Sequence, residues 1–60
     1  MKCSELMRLL RRDGWYEVSR SGSHVKMRHP TKTGQLIVPD HGAKELAPGT
    51  ERSIRKQAGI

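Results

Sequence analysis

The chain has 60 residues, 33% of them hydrophobic, and twelve Lys and Arg stand against six Asp and Glu for a formal charge of +6. A chain this short buries only about 60% of the surface that its unfolded form exposes, which excludes a second domain, a deep cofactor cavity and large moving parts. The positive surplus points to a polyanionic partner, nucleic acid first and an acidic protein second, and the interspersed signs of charge set the chain apart from a disordered basic tail.

In chain order, Cys3, Leu6, Met7 and Leu10 fall at i, i+3, i+4 and i+7, an amphipathic stripe that predicts a first helix, with Lys2, Glu5, Arg8, Arg11 and Arg12 on its other side. Gly14 follows as the stop signal. Trp15 to Arg20 reads as a strand, Ser21-Gly22 as a turn, and Ser23 to His29 as a second strand whose alternation sets Val25 and Met27 against His24, Lys26 and Arg28. A two-residue loop at Ser21-Gly22 pairs Val18 with Val25 and Tyr16 with Met27 on the apolar side, and Ser19 with His24, Glu17 with Lys26 and Trp15 with Arg28 on the other. On that register Tyr16 is expected in the core, and Trp15 outside it near the helix end. Pro30 to Gly34 is a turn, Gln35 to Pro39 a third strand, and Asp40 to about Pro48 a polar connection. A last helix runs from near Gly49-Thr50-Glu51 to Gly59 with a thin stripe of Ile54 and Ala58 and a basic surface of Arg52, Arg55 and Lys56. The order α-β-β-β-α predicts one small α+β domain over residues 1–60, a three-stranded antiparallel sheet with two helices on one face.

Cys3 is the single cysteine, so neither an intramolecular disulfide nor a cysteine metal cluster is expected, and the cytoplasm is favoured over an oxidising compartment. Arg8, Arg11 and Arg12 interrupt the apolar N-terminal stretch, so no signal peptide is expected, and no run approaches the roughly 18 to 20 apolar residues of a membrane span. His24, His29 and His41 match no familiar zinc spacing, and no metal or other cofactor is expected. Cys3 reads as core rather than nucleophile.

His24 follows Ser21-Gly22-Ser23 at the mouth of the hairpin, on the face away from the apolar core, with Lys26 and Arg28 at i+2 and i+4. It reads either as a solvated surface histidine or as a base for phosphate chemistry. Imidazole ordinarily titrates near 6.5 and accepts a proton near neutral pH, while a neighbouring Lys or Arg offsets charge on phosphate oxygens. RNA carries its own nucleophile, the 2′-hydroxyl, so one histidine suffices to start cleavage without metal. His29, before Pro30, is expected to close a turn on the apolar side, and His41 to cap one. Lys26, Arg28, Lys32 and Arg52, with Arg55 and Lys56, are either a solvated surface or a phosphate track if they share one face.

Taken together, Ser4-Glu5-Leu6, Gly14-Trp15, Gly22-Ser23-His24, His29-Pro30, Val38-Pro39, Lys44-Glu45-Leu46, Gly49-Thr50 and Ile54-Arg55-Lys56-Gln57-Ala58-Gly59 make the chain resemble, from end to end, the HicA family of toxins from toxin–antitoxin pairs. That resemblance implies a double-stranded-RNA-binding-domain-like fold and a ribonuclease that cuts messenger RNA and stops translation. It implies His24 as the catalytic histidine in its Gly22-Ser23 setting, and a HicB-type antitoxin as partner. Two readings of other classes stand beside it: an RNA-binding module that does not cleave, and a protein-binding piece whose charge serves an acidic partner.

Overall fold

The computed structural model describes residues 1–60, and its elements run α1 (Cys3–Asp13), β1 (Tyr16–Ser21), β2 (His24–Arg28), β3 (Gln35–Pro39) and α2 (Pro48–Ala58). The strands form one antiparallel sheet in the order β1-β2-β3. The order and the sheet are those expected from the sequence.

One core of twelve buried residues joins the helices to one face of the sheet: Cys3, Leu6, Met7 and Leu10 from α1, Val25, Met27, Leu36 and Val38 from the strands, Ile54 and Ala58 from α2, and Trp15 and Leu46 from the connections. No polar or charged residue is buried among them, so the core carries no desolvation cost from charge. The face of β2 and β3 that carries His24, Lys26, Arg28, Gln35 and Ile37 lies away from the helices and stays open.

The first turn of α1 is held by the chain on either side of it. Lys2 is the N-cap, and its N–H donates to Glu5 Oε1 at 2.9 Å. The N–H groups of Cys3 and Ser4 donate to the carbonyls of Lys44 and Gly42 at 3.0 and 2.9 Å. The connection after β3 thus satisfies donors that a helix start leaves free, and Leu46 pins that connection to the core. At the other end Gly14 takes φ +113°, its N–H bonds Arg11 O, and the N–H of Trp15 bonds Leu10 O at 3.0 Å. This is the Schellman arrangement, in which the residue after the glycine packs back against the last turn. It carries Trp15 inward, to 2% exposure.

The hairpin register also differs from the expected one. The loop is Gly22-Ser23, not Ser21-Gly22, and β1 pairs with β2 as Ser21 to His24, Arg20 to Val25 and Ser19 to Lys26. A shift of two residues preserves the faces at the hairpin tip. A bulge between Glu17 and Ser19 then reverses them, so that Glu17 lies opposite Met27 and Tyr16 opposite Arg28. Tyr16 is therefore outside (49% exposed), Val18 sits in the bulge (44% exposed), and Trp15 takes the core position that alternation alone assigns to Tyr16.

Candidate active site on the open sheet face

Three cross-strand rows make up the open face. The first holds Ser21, His24 and Pro39, the second Ser19, Lys26 and Ile37, the third Tyr16, Arg28 and Gln35. Rows on one face of a strand stand about 6.6 Å apart, so His24 and Arg28 are separated by about 13 Å along β2.

His24 is the first residue of β2 and is exposed. Two devices hold the backbone leading into it. Gly22 has φ +60° with open space where a Cβ would stand, so the left-handed backbone, and not crowding, calls for glycine. Positive φ at Gly22 and negative φ at Ser23 is the sign pattern of a type II′ hairpin turn. Second, the N–H of Asp40 donates to Ser23 O at 2.7 Å, and the Asp40 carboxylate accepts from Arg20 Nη2 at 2.8 Å. Arg20 also bonds Glu17 at 3.3 Å. The hydrogen bond that Arg20 donates holds the Asp40 carboxyl below its ordinary pKa and raises that of the guanidinium. Sequence reading missed this clamp, because Arg20 and Asp40 meet only through the register.

Pairing of Glu17 with Met27 turns its carboxylate to the helix side, whereas the expected register set it against Lys26. The open face consequently carries no carboxylate at all. Each of the six acids is engaged elsewhere: Glu5 with the Lys2 N–H, Asp13 with Lys32, Glu17 and Asp40 with Arg20, Glu45 with the Met1 amine, and Glu51 with Met1 and Arg55. Lys26 and Arg28 reach no carboxylate within 4 Å, and their charge is free for an incoming anion. His24 bonds no protein group, which leaves both ring nitrogens accessible.

Lys32 and Arg52, expected on the same track, lie apart from it. Lys32 Nζ donates to the Asp13 carboxylate and, at 2.9 Å, to Ala58 O, tying the ends of α1 and α2 together. Arg52 is exposed on α2, in the layer behind the sheet.

His29 closes a turn on the apolar side, as expected. Its ring is packed edge-on to Trp15, with centroids 5.2 Å apart at 67°. Nδ1 accepts the N–H groups of Thr31 and Lys32 at 3.1 Å each, which assigns the proton to Nε2, and Nε2–H donates to Asp13 O at 2.7 Å. Asp13, hydrogen-bonded by Lys32 and near this ring, has its pKa lowered. His41 is exposed in the turn after β3, where its carbonyl accepts the N–H of Lys44 at 3.3 Å. Cys3 is buried in the core, and no three metal-ligating side chains gather anywhere.

The hollows of the surface lie along the helices, lined by residues such as Arg52, Arg55 and Ile60 or Ser4, Arg8 and Arg11, and none includes His24. A small substrate needs a concavity. An open, cationic, carboxylate-free sheet face instead offers an extended surface to an anionic polymer.

A family model described as the HicA toxin of bacterial toxin–antitoxin matches residues 3–60. A protein of Pseudomonas fluorescens (strain Pf0-1) named as a probable mRNA interferase HicA is 42% identical over 60 residues, which is all of this chain and 97% of that relative.

Proposed function

The chain belongs to the HicA family of toxins from bacterial toxin–antitoxin pairs, and from that premise we propose that it is a metal-independent endoribonuclease that cuts messenger RNA and so inhibits translation in the cytoplasm, with His24 as the general base. The observation that carries this reading is the isolation of His24, with Lys26 and Arg28, on a sheet face free of carboxylates. His24 takes the proton of a 2′-hydroxyl. The oxygen attacks the adjacent phosphorus, the bond to the 5′-oxygen of the next nucleotide breaks as that oxygen takes a proton from water, and the products are a 2′,3′-cyclic phosphate and a 5′-hydroxyl end. Lys26 and Arg28 hold phosphates of the strand and offset charge on the non-bridging oxygens. Positioned general-base catalysis of this kind contributes about 10² to 10⁴ in rate. Gly22 and Ser23 act as positioning residues, through the hairpin turn and its bond to Asp40. The partner is a HicB-type antitoxin, for which the cationic open face offers a surface complementary to acidic side chains.

The test uses purified protein and a single-stranded RNA in the presence of EDTA. Cleavage that leaves a 2′,3′-cyclic phosphate, and that stops when the nucleotide 5′ to the cut is replaced by its 2′-deoxy form, is the expected result. Cleavage that persists with the 2′-deoxy nucleotide, or that requires a divalent ion, overturns the mechanism. Binding with no cleavage overturns the activity.

A further inference from the structure

Among the surfaces that the proposed mechanism leaves unused, the third row of the open face is the most distinctive. Tyr16 stands there with about half of its surface exposed, directly across from Arg28 and on the same face as His24 and Lys26. No protein group hydrogen-bonds its hydroxyl. On chain parity alone it belongs in the core. The bulge between Glu17 and Ser19 is what delivers it to the open face, in exchange for Trp15.

We infer that Tyr16 forms a stacking platform for one base of the RNA strand, beside the phosphate held by Arg28 and two rows from the phosphate at His24, and that this platform sets where the strand is cut. The inference rests on the ribonuclease reading above and adds a residue and a role to it. Three observations support it. First, the rows recur every ~7 Å, comparable with the phosphate-to-phosphate step of an extended strand, so a strand laid along β2 with one phosphate at His24 brings a nucleotide to Tyr16. Second, phenol rings are among the side chains on which unpaired bases stack, and here the ring lies across one strand pair from Arg28, whose charge no acid claims and which is free to hold the phosphate next to that base. Third, the cations of β2 divide the two exposed apolar side chains that the register places on this face. Lys26 and Arg28 on β2 separate Tyr16 on β1 from Ile37 on β3. Aromatic and cationic residues in alternation characterise a single-stranded nucleic-acid surface, whereas a protein-docking patch is a continuous apolar area.

The probe is a single-stranded 2′-O-methyl RNA, which lacks the nucleophile and reports binding whether or not His24 is the base. Tyr16→Ala is expected to weaken binding about 5- to 150-fold, the range for loss of one stacked base, and Tyr16→Phe to stay within about twofold of the wild type. On cleavable RNA, Tyr16→Ala is expected to raise KM more than it lowers kcat and to redistribute the cut positions. Emission of the buried Trp15 checks that both variants are folded. Binding by Tyr16→Ala equal to the wild type, with unchanged cut positions, overturns the platform. So does an equal loss in Tyr16→Phe, which would assign the effect to the hydroxyl, and so does a loss confined to an acidic protein partner. If the wild type binds the probe through Tyr16 but never cuts cleavable RNA, the ribonuclease reading fails while the platform stands.

Discussion

Two histidines of this chain, five residues apart, have opposite environments. His24 bonds nothing in the protein and lies in solvent, whereas the His29 side chain is 8% exposed and joins three backbone groups to an aromatic edge. His29→Ala strips the carbonyl of Asp13 and two turn N–H groups of their partner and uncovers Trp15, which is expected to cost about 2 to 4 kcal/mol in urea unfolding. His24→Ala is expected to change stability by no more than about 0.5 kcal/mol while abolishing cleavage. Equal effects of the two substitutions on unfolding would contradict this division. Gly14→Ala belongs with His29: a Cβ there would stand 2.8 Å from Nε2 of the His29 ring, on a backbone with φ +113°. A loss of more than about 1 kcal/mol is expected. Parity along β2 was enough to read the outward direction of His24. The partners of His29 were not legible, because they come from the end of α1 and from its own following turn.

At the level of elements, the hairpin shows where pattern reading stops. Alternation in β2 is clean, with two buried residues between three exposed or half-buried ones, and its faces were read correctly. Alternation in β1 carries little signal, since all six of its residues are exposed on an edge strand. Its register is set by the turn and the bulge, and the direction of Trp15 by the helix cap before it. None of these is a pattern of apolar residues. The loop glycine gives a direct test: Gly22→Ala places a Cβ at φ +60° and is expected to lower cleavage at least tenfold by displacing His24, at about 1 kcal/mol in stability. Retention of full activity would show that the turn does not position the site. The clamps between elements predict an acid response. Lys32 and Arg20, through their hydrogen bonds, lower the pKa of Asp13 and Asp40 respectively from the ordinary 3.8. Because these values are depressed in the fold, their contribution is complete above the unfolded value and is lost as pH falls through the folded one. Unfolding midpoints are therefore expected to hold from neutral pH to about 5 and to fall below pH about 4. Asp13→Asn should flatten that acid limb. The two carboxylates keep 31% and 24% of their side-chain surface in solvent, which screens the pairs in part, so the change is expected to be modest.

Across the whole molecule, the charge of +6 is arranged rather than merely abundant. Every carboxylate is used to hold the chain together, and of the twelve cations only Arg20, Lys32 and Arg55 pair with an acid side chain. The sequence showed the surplus but not its partition into an open sheet face and a separate helical layer. That partition is why Lys32 and Arg52 fall away from a track with which their charge is compatible. It predicts an uneven salt dependence: Lys26→Ala and Arg28→Ala should each reduce the slope of log affinity against log salt for single-stranded RNA by about 0.7, the value for one phosphate contact. Arg52→Ala should leave it nearly unchanged. Equal slopes in all three variants would mean that the strand is not confined to the open face. The central claim, that His24 on that face cuts RNA, is tested most directly by inducing the wild type and His24→Ala in cells and mapping new RNA ends by primer extension. The expected result is growth arrest with new ends from the wild type and neither from the variant. New ends from both, or from neither with the protein folded, would contradict it.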